Sequence, residues 1–192
     1  MMRDNPQQKP KTLKGIVKDY EKCPIDPWLL HCMSLDTLTK CIKDAATALK
    51  GPINTKHSKH PHQHRLVGQT LEDFSNTLLT MESMIQKCKE FDILFEIVKS
   101  CKIRGIGELT IYDTALRIGI FLNVMPTSVY FFRGAREGVM LLFNKGYLID
   151  VKSKNLVITL LVSNFPTEFN HLEPFQIEQL LCMYKKDFEL LP

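Results

Sequence analysis

The stretch KHSKHPHQHRL, Lys56 to Leu66, holds His57, His60, His62 and His64, four of the six histidines in the 192-residue chain. An unperturbed imidazole titrates near pH 6.5, so such a loop can hold or give up protons at neutral pH. Lys56, Lys59 and Arg65 add positive charge, and no acid occurs between Ala45 and Leu71. Three uses compete. One histidine can act as a general acid or base while Arg65 holds an anionic group. The histidines can bind a metal, although no carboxylate or cysteine stands near in sequence and the flanking cations oppose one. The loop can also be a solvated polar segment. Pro61 favours an extended His60, which predicts that His60, His62 and His64 share a side if strand-like geometry holds.

A second stretch, FEIVKSCKIRGIGELT, places Gly105-Ile106-Gly107 between two segments of helical pattern. Glycine permits a tight turn that is costly for other residues. It also leaves backbone N–H groups at a helix start uncovered, where an anion can bind. The alternative is a packing turn between two helices. Asp113 and Arg117 follow on the second helix. Four residues apart, they share a face and can pair.

The G-h-G turn, flanked by helices and followed by Thr110, resembles the helix-hairpin-helix motif. That resemblance implies sequence-independent contact with the DNA backbone through Gly105, Ile106 and Gly107, with Lys102 and Arg104 adding charge. It covers about 25 residues. Glu108 stands where many members of that family carry a basic residue. Tyr112-Asp113-Thr114 with Arg117 resembles the catalytic segment of base-excision glycosylases bearing this motif. Asp113, however, lies on the second helix of the hairpin itself, and no lysine occupies the place their bifunctional mechanism needs, so their catalysis is not carried over.

In VYFFRGAREGVMLL, Arg133 and Arg136 lie beside Gly134 and Gly138, after Tyr130, Phe131 and Phe132. Aromatics next to arginines can stack bases and hold phosphates, or can be core beside a solvated helix face. Together, HPHQ-x-R, GIGELT-x-YDTA-x-RIG and VY…G-x-R-x-G resemble an uncharacterised family of bacterial proteins. The resemblance implies that the three segments form one site. Phe132 stands where that pattern has a histidine.

The elements that must position these residues are mostly helical. Periodicity predicts helices near 13–22, 34–50, 67–88, 91–101, 109–122, within 127–143 and over 174–188. Pro24 and Pro27 break the chain before Trp28, which anchors the loop to the core, and Gly51 is a natural stop. Tyr147–Val151 and Leu156–Val162 read as a short C-terminal β-hairpin. The expected fold is mainly α: a flexible tail over 1–12, then a single-domain helical bundle over 13–192 with a helix-hairpin-helix-like element.

Composition is ordinary for a globular chain, with 44% apolar and 24% charged residues. The net charge of +4 permits an anionic partner without requiring one. Six scattered cysteines without a C-x-x-C pair read as reduced thiols of a cytoplasmic protein rather than a zinc site. No apolar run approaches the roughly 20 residues of a membrane span. The expectation is therefore a DNA-backbone binder, linked to DNA processing or repair, that uses Gly105, Ile106, Gly107, Arg65, Arg117 and Arg133. The alternative is a small enzyme acting on a phosphorylated or anionic molecule, with His62, Asp113 and Arg136 as its catalytic set. Duplex DNA or a phosphate-bearing ligand is the expected partner. No membrane, cofactor or metal is expected, and a plain interaction protein is the third possibility.

Overall fold

Capping residues or prolines mark the start of some of the helices in the computed structural model, which describes residues 11–48, 59–148 and 159–192. In chain order the helices are α1 (Leu13–Tyr20), α2 (Pro27–Met33), α3 (Leu38–Thr47), α4 (Gly68–Thr80), α5 (Glu82–Gln86), α6 (Phe91–Ser100), α7 (Glu108–Leu122), α8 (Arg133–Asn144), α9 (Pro174–Met183) and α10 (Lys185–Phe188). Two short strands, β1 (Val129–Tyr130) and β2 (Thr159–Leu160), form an antiparallel pair with Val129 opposite Leu160. The fold is thus mainly α with a small β element. The strand in the Leu156–Val162 run pairs with Val129–Tyr130. Most of the remaining expected hairpin, like Gly51, His57 and the first ten residues of the expected tail, lies outside the described residues.

Thr12 caps α1 by accepting from the Gly15 N–H at 3.1 Å, and Lys11 N–H donates to the Leu190 carbonyl. Asp26 caps α2, accepting from Trp28 N–H at 2.8 Å, with Pro27 in the first turn. Pro27 therefore starts a helix where sequence reading sees only a break. The expected helix near 67–88 is two helices, α4 and α5, that meet at Met81.

The chain divides into two compact units, each with its own core. One takes the chain up to Cys23 and from Thr127 onward. Its core gathers Ile16 and Val17 of α1, Val129 and Phe131, Leu142 of α8, Phe165 and Phe169, and Ile177 and Leu181 of α9. Helices α8 and α9 pack against each other. A Cβ added to Gly138 would lie 2.3 Å from the Leu181 carbonyl oxygen, too close for any rotamer change to relieve. Gly138→Ala should therefore cost about 1–3 kcal/mol by chemical denaturation. Gly107→Ala, with φ −93° and open space around its Cβ position, should stay within about 0.5 kcal/mol of wild type.

The other unit is Pro24–Pro126. Helix α7 is its central element and packs against α2, α3 and α6. Every residue from Thr110 to Gly119 is buried. A helix apolar on nearly all faces is expected to be enclosed. It ends in a left-handed Asn123 at φ 57°, and Val124 N–H returns to the Gly119 carbonyl at 2.8 Å.

Candidate active site

The histidine loop is built from turns, not from an extended strand. His60 N–H donates to the Ala48 carbonyl just past α3, at 3.2 Å. Pro61 then sits second in a turn closed by Gln63 N–H to the His60 carbonyl at 2.9 Å, a position that its fixed φ favours. Leu66 N–H continues to the Gln63 carbonyl, and the Lys59 ammonium clamps the loop by donating to the Leu66 carbonyl at 2.9 Å. The turn brings the His60 and His62 rings edge to face at 4.7 Å. His60 is buried, whereas His64 and Arg65 face solvent. The common side expected for His60, His62 and His64 fails because the chain turns at Pro61.

The loop and α7 meet through side chains. His62 Nδ1 lies 2.8 Å from Asp113 Oδ2. A carboxylate accepts, so Nδ1 carries the proton and Nε2 keeps its lone pair. The His62 side chain is 39% exposed and that of Asp113 only 11%. Arg117 is 1% exposed, one turn further along α7. Its guanidinium donates to the Ala45 carbonyl at 3.1 Å and approaches Asp113 Oδ2 to 4.0 Å. His60 Nε2 is 3.5 Å from Asp26 Oδ2, while His60 Nδ1 accepts the His62 backbone N–H at 3.2 Å. The Trp28 ring closes the other side of His60 edge to face at 4.8 Å.

Charges tune these rings in opposite directions. The Asp113 hydrogen bond holds the His62 pKa above the ordinary imidazole value, against burial and Arg117. Burial holds His60 below that value, opposed by the Asp26 hydrogen bond. At Asp26 burial pushes the carboxyl up, but His60, Arg117 and the Trp28 N–H together outweigh it, and the net shift is down. Stability follows by linkage. The His62 contribution is fully present below about pH 6.5 and fades as pH rises through its elevated pKa. The His60 contribution is present above about pH 6.5 and is lost as pH falls through its depressed pKa. Urea denaturation of His62→Gln across pH 5–9 should remove the first dependence and keep the second.

His60, His62 and Asp113 each offer a potential metal-ligand atom, and these atoms lie within 4.8 Å of one another. The fold thus supplies the carboxylates, Asp113 and Asp26, that the loop lacks in its own sequence. Two of the lone pairs at this place are already committed, however. His60 Nδ1 takes the His62 N–H, Asp113 Oδ2 takes the His62 ring proton, and the Arg117 guanidinium stands beside that same oxygen. The arrangement suits proton transfer better than cation binding. The amide of Gln63, Trp28 Nε1 and Arg117 Nε are buried without a hydrogen-bond partner among the described residues, so bound water or a polar ligand would satisfy them.

Two residues expected to touch phosphate do not face outward. Arg117 is enclosed because α7 is the centre of its unit. Ile106 is 2% exposed and anchors the glycine turn from inside. The turn itself is exposed at Arg104, Gly105 and Gly107. Ile106 N–H closes it onto the Ile103 carbonyl at 3.1 Å with Gly105 at φ 96°, a type II geometry that requires glycine at this place. In the other unit, Arg133 opens α8 at φ 36°, and Arg136 lies on the same helix. Tyr130, Phe131 and Phe132 are all buried, so they are core rather than a stacking platform for bases. Asp26 and Trp28 escape sequence reading as site residues. The Asp-Pro pair at a helix start is the signal that could have found Asp26. Among the described residues no helix is long and apolar enough to cross a membrane. Comparison with protein-family models, curated proteins and solved structures finds no match to the chain.

Proposed function

We propose that the protein is a small acid–base catalyst acting on an anionic substrate, with His62 Nε2 as the proton acceptor and Asp113 as the group that orients it. The carrying observation is the 2.8 Å bond from His62 Nδ1 to the enclosed Asp113, which leaves Nε2 at a side chain still open to solvent. Such a carboxylate fixes the tautomer and stabilises the imidazolium that forms when Nε2 takes a proton. Arg117, held by the Ala45 carbonyl, keeps positive charge beside Asp113. The exposed His64 and Arg65 on the same loop supply positive charge for an anionic substrate.

A direct test measures p-nitrophenol release from p-nitrophenyl acetate and bis(p-nitrophenyl) phosphate between pH 5 and 9. A rate above that of free imidazole at equal concentration, lost in His62→Gln, supports the reading. A rate that His62→Gln leaves unchanged removes it.

A second reading has its own observation. The exposed type II turn at Gly105 leads into α7, which has no side-chain cap at Gly107. With Lys102 and Arg104 beside it, this turn could hold a DNA phosphate. A labelled duplex should then bind with a log–log salt slope near −0.9 for each phosphate neutralised. Gly107→Ala should weaken that binding without loss of stability, and unchanged binding would reduce the turn to a packing device.

A further inference from the structure

His60 occupies the middle of a chain of contacts that begins at one helix start and ends at the proposed proton acceptor. Asp26 caps α2 through Oδ1 and meets His60 Nε2 through Oδ2. A backbone N–H only donates, so the neutral His60 ring accepts the His62 N–H at Nδ1 and carries its proton on Nε2. Nδ1 is then a bare lone pair, and the His62 backbone N–H points at it from 3.2 Å. Trp28 and His62 press on the ring from two sides at 4.8 and 4.7 Å. His60 is 8% exposed, too enclosed to meet substrate as His62 can.

We propose that His60 is a positioning residue: its Nδ1 lone pair fixes the backbone of His62, and so holds the His62 ring against Asp113. Asp26 and Trp28 in turn hold His60. This inference rests on the acid–base reading of His62. A structural histidine that only filled space would need neither nitrogen in a defined state. Here one nitrogen must donate and the other must accept, and only the neutral ring with its proton on Nε2 does both.

A consequence concerns acid. Protonation of His60 would turn Nδ1 into a donor facing another donor, and the His62 segment would lose its anchor. The charged groups facing His60 are Asp26 at the start of α2, Asp113 and Arg117 on α7, and His62 in its own loop. Burial and Arg117 resist this protonation, and Asp26 and Asp113 favour it. The dyad thus has an acid limit set by His60, separate from the titration of His62.

The test exploits two amides that each reproduce one half of the ring. The Asn Oδ1 falls near the place of Nδ1 and can accept the His62 N–H. The Gln amide reaches the place of Nε2 and can serve Asp26, but puts no acceptor near His62. The full chain, labelled with ¹³C in histidine, is titrated by NMR, and the His62 ring is followed in wild type, His60→Asn and His60→Gln. His60→Asn should keep the elevated pKa of His62. His60→Gln should let it fall to the ordinary imidazole value as the ring leaves Asp113. Equal behaviour of the two variants, in either direction, overturns the proposal. The readout requires no turnover. Absence of any catalysis would refute the acid–base function while leaving the positioning result legible, and a pKa insensitive to position 60 would refute only the positioning.

Discussion

His62→Gln should lower the rate at this centre by about 10²–10⁴-fold, the usual contribution of a positioned general base, while leaving the helical scaffold intact. The His62 side chain is partly open to solvent, and its removal opens no enclosed core. Asp113→Asn should reach a similar loss by a different route. The carboxamide of the variant can donate to His62 Nδ1, which pushes the ring proton onto Nε2 and removes the lone pair that accepts protons. The pH profile of Asp113→Asn separates two states of its ring. A histidine that still accepts protons would give Asp113→Asn a rate rising with pH through the ordinary imidazole range. A ring locked in the wrong tautomer gives a low rate throughout. Wild-type rates should rise with pH through the elevated pKa of His62, because only the neutral ring takes a proton. Turnover assays across pH 5–9 check both statements.

Arg117→Met should have the largest effect on stability, about 3–5 kcal/mol, because it strips a buried charge of its neighbour. Arg117 is among the largest fully buried side chains. Its guanidinium satisfies the Ala45 carbonyl and faces Asp113, and Cys41 Sγ donates to its backbone carbonyl at 3.7 Å. Methionine fills a similar volume, so the loss reads chiefly the missing charge and not a cavity. Arg117→Lys keeps the charge but offers a point donor in place of the planar fork, and should recover only part of the loss. The midpoint of urea denaturation, followed by far-UV circular dichroism, measures both. A midpoint for Arg117→Met equal to wild type would mean that the guanidinium is dispensable and that Asp113 is held by other groups.

How far the site was legible in the sequence follows from the reach of each signal. A helix with clear periodicity, such as α6, emerges close to its observed bounds because its buried face repeats every third or fourth residue, whereas the single helix expected over 174–188 is two, α9 and α10, that meet at Tyr184. Helix α2 does not, since Pro24 and Pro27 look like breaks until Asp26 is seen to cap what Pro27 begins. The division of α4 from α5 at Met81 carries no glycine or proline to announce it. At the site, Asp113 and a loop histidine are visible as a possible pair, and the fold unites them. The burial of Arg117 was also available in principle. From Leu109 to Leu122, Asp113 and Arg117 are the only charged residues, and a helix apolar on every face must be enclosed with whatever charges it carries. Asp26 and Trp28 could not be placed against His60, because contacts made across thirty or more residues leave no local pattern.

The central claim is that Asp113 holds the His62 ring with Nδ1 protonated and Nε2 free. The most direct measurement is a two-dimensional ¹H–¹⁵N NMR titration of the histidine ring nitrogens in wild type and Asp113→Asn. The account predicts that neutral His62 in wild type shows a protonated Nδ1 and a bare Nε2, with a pKa above the ordinary imidazole value. In Asp113→Asn the elevation should vanish and the proton should move to Nε2. An ordinary pKa in wild type, or a tautomer that Asp113→Asn does not change, would contradict it.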